Sequence, residues 1–280
     1  MKKSIVIGIV AALATSSVIA QNNDIVVTPN QDKATFTPAS ADVNVRADLG
    51  LFTSYVWRGQ VLNNDLVVQP QVDISKMGVH LNIFGNYDLK KNCNGNSGDF
   101  SEIDLTLGYD LPLQLDNVDF SIGLINYNFS GKNPAEATTE LYGSAVLTTF
   151  KKENGLSFTP SFTLYGDIDE VNGVYLEFQI PVRYPLPIEA ISLTVEGGIT
   201  VGWGNTAYNS HYWDQSADGN WNDYNFYGTI TYAIRSDLLL NLNMTYTMLE
   251  GGAIRDGATA VDKYEADNKF WSGINLSYKF

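Results

Sequence analysis

The chain has 280 residues, and its 31 acidic side chains against 17 basic ones leave a net charge of −14 at neutral pH. That balance excludes a nucleic-acid-binding face, which must be basic to meet phosphates. The single cysteine excludes an internal disulfide, and a composition rich in Tyr, Phe, Trp and Gly with 17 % charged residues suits strands and turns better than helices.

The first element is Met1-Lys2-Lys3, an apolar run from Ile5 to Ala14, and Val18-Ile19-Ala20 before Gln21. A charged start, a short apolar core and small residues at the end are the parts of a cleaved signal peptide, expected over residues 1–20. Its removal takes away Lys2 and Lys3, leaving 15 basic side chains against 31 acidic ones and a net charge of −16. The run is too short to span a bilayer, and no later stretch approaches the roughly 18 uninterrupted apolar residues that a transmembrane helix needs. Residues 21–43 mix Thr, Pro, Asn and Ala without sustained periodicity, so they are expected to form a flexible leader.

From Asn44 to Phe280 the dominant signal is alternation with period 2 between turn residues. In 191–203, Ile191, Leu193, Val195, Ile199, Val201 and Trp203 share one face, and Ser192, Thr194, Glu196 and Thr200 the other. In 238–248, Leu240, Leu242, Met244, Tyr246 and Met248 oppose Asn241, Asn243, Thr245 and Thr247. In 174–184, Val174, Leu176, Phe178, Ile180, Val182 and Tyr184 oppose Tyr175, Glu177, Gln179 and Arg183. Strands of a soluble sheet average about five or six residues, whereas about 9 to 11 cross a bilayer, and these segments fit the second class. The alternation predicts strands at 45–57, 66–74, 79–87, 100–110, 118–128, 139–150, 156–166, 174–184, 191–203, 223–234, 238–248 and 269–280. Twelve is an even number, as a single-chain bacterial barrel with both ends on one side requires. The expected fold is therefore all-β: a transmembrane antiparallel up-and-down barrel over residues 44–280.

The connections provide an independent check, because such barrels have short turns on one side and long loops on the other. Residues 75–78, 111–117, 151–155, 185–190 and 235–237 form the short set; 88–99, 129–138, 204–222 and 249–268 form the long one, with 58–65 and 167–173 short for their class. Tyr and Trp gather near strand ends, where an apolar ring with a polar tip suits a membrane interface. Pro70, Pro160 and Pro181 fall inside predicted strands and cannot donate to a ladder, so they require bulges or different strand limits.

If apolar faces look at lipid, then Arg58, Asp73, His80, Glu102, Asp104, Glu140, Glu177, Arg183 and Glu196 line the lumen. Acids outnumber bases there, which would favour cations, or the same side chains could pair with one another and brace the interior. The later external loops hold Asp167, Asp169, Glu170, Asp214, Asp218, Asp223, Glu250, Asp256, Asp262, Glu265 and Asp267 against Arg255 and Lys263. Oxygen-rich loops could hold Ca²⁺ or Mg²⁺, but no Asp-x-Asp-x-Asp-Gly spacing is present, and a solvated acidic surface is the expectation. Cys93, in Lys90-Lys91-Asn92-Cys93-Asn94-Gly95, reads as a tolerated loop thiol. Ser210-His211 with Asp214 nearby is the one constellation that could support hydrolysis, yet adjacent residues rarely face each other and no Gly-x-Ser-x-Gly elbow occurs. HExxH, GxxxxGK and CxxC are absent, so no metal site and no cofactor is expected.

The last segment, Ile274-Asn-Leu276-Ser-Tyr278-Lys-Phe280, resembles the C-terminal signal that outer-membrane insertion machinery reads. The segment Leu49-Gly-Leu-Phe-Thr-Ser54-Tyr55-Val-Trp57-Arg58-Gly59-Gln60 resembles the opening motif of the TorF family of porins, and Pro70 to Asp73 and His80 to Gly85 look like that family's second and third strands. This resemblance covers about 45 residues and implies an outer-membrane barrel with no catalytic residues. The function expected is a porin-like channel for passive diffusion of small solutes, with lumen carboxylates giving a preference for cations, in the outer membrane of a Gram-negative-type bacterium. The alternatives are a closed structural or surface-interaction barrel acting through its external loops, and a lipid hydrolase. Expected partners are outer-membrane lipid and lipopolysaccharide, the insertion machinery, small solutes or ions, and further copies of the chain in a homo-oligomer.

Overall fold

The structure is a computed structural model that describes residues 42–90, 97–113, 115, 117–129, 136–148, 150–188, 191–259 and 267–280. The signal peptide, the leader up to Ala41, Cys93 and the acidic residues Asp262 and Glu265 lie outside the described residues. The strands are β1 (Asn44–Phe52), β2 (Tyr55–Trp57), β3 (Gln60–Asn63), β4 (Val67–Lys76), β5 (Val79–Asp88), β6 (Asp99–Leu111), β7 (Val118–Phe129), β8 (Glu136–Leu147), β9 (Phe150–Lys151), β10 (Ser157–Phe158), β11 (Ser161–Asp167), β12 (Val174–Leu186), β13 (Leu193–Gly204), β14 (Asn220–Arg235), β15 (Leu238–Leu249) and β16 (Asn268–Lys279). Two short helices, α1 (Thr206–Tyr212) and α2 (Ala253–Thr259), sit in the last two long loops.

Twelve of the strands form one closed antiparallel barrel. Each main-chain neighbour in sequence is a neighbour in the sheet, β16 pairs with β1, and β11 pairs with both β8 and β12. Closure removes every edge of the sheet, so the wall leaves no row of unpaired backbone donors facing lipid. The short β9–β10 hairpin extends the wall beside β12. Both ends of the barrel chain, Asn44 and Lys279, lie at the end with the short connections; this is termed the turn end, and the opposite end the loop end.

Period 2 sorts the side chains as the alternation requires. On β15 Leu242, Met244 and Tyr246 are exposed on the outside, while Asn243, Thr245 and Thr247 are buried inside. The outward positions of neighbouring strands continue that apolar surface, with Ile103, Leu105 and Leu107 on β6 and Phe178, Ile180 and Val182 on β12 all exposed. An exposed apolar belt around a polar interior inverts the arrangement of a soluble domain, and it matches lipid outside and water inside.

The three prolines each mark an interruption in the pairing. The pairing of β4 with β5 passes from Val68↔Tyr87 to Gln71↔Phe84, skipping Pro70, and the Gln69 side chain bonds Asn86 at 3.0 Å across that gap. Pro160 separates β10 from β11, so the predicted strand 156–166 is split. Pro181 lies on β12 between the residues paired with Phe158 and with Ser161, facing the same break.

The larger departure is at the start. The alternation predicts one strand over 45–57, but the wall strand stops at Phe52 and residues 53–66 turn away from it. Tyr55–Trp57 and Gln60–Asn63 pair only with each other, as a two-stranded sheet separate from the barrel wall. The first connection is thus not the short loop 58–65 but a longer segment folded inward.

Candidate functional site: a hairpin inside the lumen

The inner hairpin is built by its turn. Trp57 pairs with Gln60, leaving Arg58 and Gly59 as a two-residue connection, with φ of +45° and +83°. Two positive φ values are what the tightest hairpin turn demands, and glycine at the second position meets that demand without strain. Gly59 also has no room for a side chain: a Cβ there would lie 2.6 Å from Leu249 and 2.8 Å from Asp223. The turn therefore presses its backbone against the inside of the wall and aims Arg58 into the lumen.

Apolar residues of the hairpin seat it. Tyr55, Val56, Trp57 and Val61 are buried with Phe52, Val67, Phe84, Tyr127 and Trp271 in one cluster. Trp57 meets Tyr127 and Tyr212 edge-on, with ring centroids 5.5 and 5.4 Å apart. Polar contacts fix the returning strand: Asn63 donates to Asp88 at 2.7 Å, and the Asp65 amide donates to the Asn63 side chain at 2.8 Å.

At the tip, the Arg58 guanidinium forms a two-pronged bond with Glu140, at 2.7 Å to Oε1 and 2.8 Å to Oε2. Tyr127 donates its hydroxyl to the same carboxylate at 2.9 Å. The guanidinium carbon lies 4.6, 4.2 and 4.4 Å from the ring centres of Trp57, Tyr165 and Tyr175, with Tyr208 further out at 6.0 Å. A planar fork on a carboxylate with its faces against aromatic rings suits arginine in a way that a lysine ammonium would not. The Tyr175 hydroxyl donates to Asp223 at 2.9 Å; Asn225 donates to the other Asp223 oxygen at 2.7 Å and accepts from Thr247 at 2.7 Å. Glu177 lies two residues along β12 from Tyr175 on the same inward face, is buried, and feels the charge of Arg58.

The loop helices cover this centre. Asn205 caps α1 by accepting from the Tyr208 amide at 2.9 Å, which turns the Tyr208 ring down onto Tyr175, 5.1 Å away. Ile254 and Ala258 of α2 pack on Trp213, Ala217 and Leu249.

The filling is densest in the loop half of the barrel, although Asp48 and Ser277 near the turn end are buried as well. On β14 the inward Asp223, Asn225 and Tyr227 are buried, whereas Thr229 and Thr231, nearer the turn end, are half-buried. On β12 Tyr175, Glu177 and Gln179 are buried and Arg183 is half-buried; on β13 Thr200 is buried while Thr194 and Glu196 are half-buried. The lumen is closed toward the loop end and accessible to water toward the turn end.

The named lumen candidates divide along that line. Arg58, Glu102, Asp104, Glu140 and Glu177 are buried in the filled half, with the Tyr55 hydroxyl bonded to Glu102. Arg58 reaches the lumen from the hairpin tip, not from a wall strand. Asp73, His80, Arg183 and Glu196 are in the open half. There Asp73 takes Arg46 at 2.8 Å and Asn82 at 2.7 Å, His80 meets Asp110 at 2.6 Å, and Arg183 lies directly opposite Glu196 in the β12–β13 register. Of the motif residues, Ser54, Tyr55, Trp57, Arg58 and Gly59 all belong to the inward segment, whereas Ile274, Leu276 and Tyr278 take alternate positions of the last strand and Phe280 follows its end, its amide bonded to the Val45 carbonyl.

Two expectations about the loops are corrected. Asp223 is not part of an acidic external surface; it sits on β14, 0 % exposed, inside the barrel. Asp167 is not a free loop acid either, since its Oδ1 accepts from the amides of Asp169, Val171 and Asn172 and its Oδ2 from the Thr138 hydroxyl. Among the described residues no group of three or more His, Cys, Asp or Glu is placed to hold a metal ion. The Ser210 hydroxyl donates to the Thr206 carbonyl at 2.6 Å within α1, and the His211 ring meets Tyr212 edge-on. What sequence reading missed is the set of tyrosines, Tyr127, Tyr165, Tyr175 and Tyr208, that surrounds Arg58.

A closed barrel with an apolar exterior and a polar, partly plugged interior defines a transmembrane β-barrel protein. The chain belongs to the bacterial family of unknown function Gcw_chp, whose sequence pattern matches residues 36–233. No curated protein matches it. Among solved structures it is similar to the NanC porin, at 12 % identity over 85 % of this chain and 100 % of that one, with a TM-score of 0.49. It is also similar to an outer-membrane channel from Pseudomonas putida, at 13 % identity over 90 % and 99 % with a TM-score of 0.47. A third is the outer-membrane channel DcaP of Acinetobacter baumannii, at 8 % identity over 89 % and 99 % with a TM-score of 0.42.

Proposed function

We propose that this protein is a porin-like outer-membrane channel for small solutes, held closed at its loop end by the Tyr55–Asn63 hairpin. The observation that carries this reading is the nature of the closure. The plug is a loop segment with its own two-stranded sheet, seated against a polar lumen whose turn-end half is open to water. A barrel needed only as a brace has no reason to keep that half lined with half-buried charge such as Arg183 and Glu196. In an outer membrane the short turns and both ends of the barrel chain face the periplasm and the capped end faces outward. The lumen carboxylates would then favour cations. The resemblance to the TorF family, whose opening motif Leu49 to Gln60 includes the tip of the plug, supports the same assignment.

Single-channel recording of the refolded mature chain in planar bilayers under a salt gradient tests this. Rare openings with a cation-selective reversal potential, reduced by Glu177→Gln or Glu196→Gln, are expected. Unchanged selectivity in both variants removes the role of the carboxylates. A second reading, the closed structural barrel, is favoured by the burial of every inward residue of β12 from Tyr175 to Pro181. Complete silence from folded protein, with and without the hairpin anchored, establishes that reading instead.

A further inference from the structure

The Arg58 site has the composition of a ligand site. One guanidinium is seated among three ring faces at 4.2 to 4.6 Å and is gripped in a plane by Glu140, and those four partners come from β2, β8, β11 and β12. A hairpin tip needs only one good anchor, yet the walls here are excessively acidic for their single cation. Besides Glu140, the buried Asp223 is held by Tyr175 and Asn225, and Glu177, 3 % exposed, lies on the same inward face of β12 within the field of Arg58. Burying carboxylates close together is costly, and a cation seated among them offsets that cost.

We propose that this cage is a binding site for small guanidinium-bearing solutes, and that Arg58 fills it as the chain's own stand-in when the hairpin is seated. The rings and the carboxylate fork are on the wall and the loop helix except for Trp57, so most of the cage remains when the hairpin leaves. A solute with a planar, delocalised cation reproduces the bonds that Arg58 makes, while an ammonium lacks the fork and a neutral isostere lacks the charge. Tethering gives Arg58 a high local concentration, so a free solute competes poorly until the tip is withdrawn or removed. The solute's route to the cage rests on the channel reading above; the cage itself does not.

The test is calorimetric titration of the refolded full mature Arg58→Ala chain in detergent with methylguanidinium chloride, against urea and sodium chloride at matched ionic strength. Saturable binding of methylguanidinium alone is expected, at least about tenfold weaker for the native chain, whose cage is filled, and at least about tenfold weaker for R58A/E140Q. Equal heats from sodium chloride, no heat, or equal binding by native and R58A protein overturns the proposal. If R58A does not refold, Arg58→Lys carries the same titration, because its ammonium cannot take up the fork. Bilayer recording separates the two claims: binding by a protein that never conducts overturns the channel and leaves the cage, and conduction without binding overturns the cage and leaves the channel.

Discussion

Replacing Arg58 by methionine keeps most of the stem's volume and removes the cation, leaving Glu140 buried beside Glu177 and Asp223. Removing one partner of a buried ion pair costs about 3–5 kcal/mol. The guanidinium also gives up its contacts with three rings, each worth about 0.5–2 kcal/mol and not additive with the first figure. Taken at the lower end, about 3 kcal/mol against the seated hairpin is a factor of about 100 in its seated-to-withdrawn ratio. The apolar side chains Val56, Trp57 and Val61 still contribute about 1.5–3 kcal/mol each on burial, so the segment samples both positions rather than leaving altogether. In planar bilayers the expected outcome is an open fraction roughly 100-fold above that of the native chain, without a change in the conductance of the open step. The double variant Arg58→Met, Glu140→Met should return toward native closure, because an apolar pair of similar volume replaces a buried ion pair at little cost. An open fraction in Arg58→Met equal to native would refute the reasoning, and a double variant as leaky as the single one would show that shape and not charge holds the plug.

Gly59→Ala should lower the free energy of unfolding from lipid, read by urea titration, by about 1–3 kcal/mol, since its Cβ meets Leu249 and Asp223 at under 3 Å in a turn with positive φ. Leu242→Arg on the lipid face should cost about 2–4 kcal/mol in the same assay, and Asn241→Arg, one residue away on the lumen face and half-buried, much less; equal losses would contradict the inside–outside assignment. In the last long loop, the Gly251 amide and the Tyr224 hydroxyl, at 3.0 and 2.8 Å, hold the Glu250 carboxyl below the usual carboxylate range. A depressed acid stabilises the folded state above its unfolded pKa and loses that effect as pH falls through the folded one. The anchoring of this loop, read by protease resistance, should therefore be constant from neutral pH to about 4.5 and decline below it, and Glu250→Gln should abolish that decline.

The alternation along the chain was sufficient for the wall. Period 2 is a local property, because the pleat itself sends Leu242 and Asn243 to opposite faces, so strand number, facing and the division into turns and loops could all be read from order alone. The prolines marked three breaks without saying which partner would be skipped. The plug was illegible for a specific reason: Tyr55-Val56-Trp57 alternates as well as Leu49-Gly50-Leu51 does, and nothing local distinguishes a strand that continues along the wall from one that folds back within it. That choice depends on where β4 stops offering partners, at Val67, although β16 runs on to Asn268, and on whether a cavity of fitting chemistry waits inside. The cavity is assembled from Tyr127, Glu140, Tyr165, Tyr175 and Tyr208, which are far apart in sequence and individually ordinary. Asp223 was misassigned on the same account, since its distance from the end of β13 resembles a loop position until α1 takes up the intervening chain and returns it to the lumen. The sequence alone determined a barrel and its two faces; only closure of that barrel decided which side chains meet at its centre.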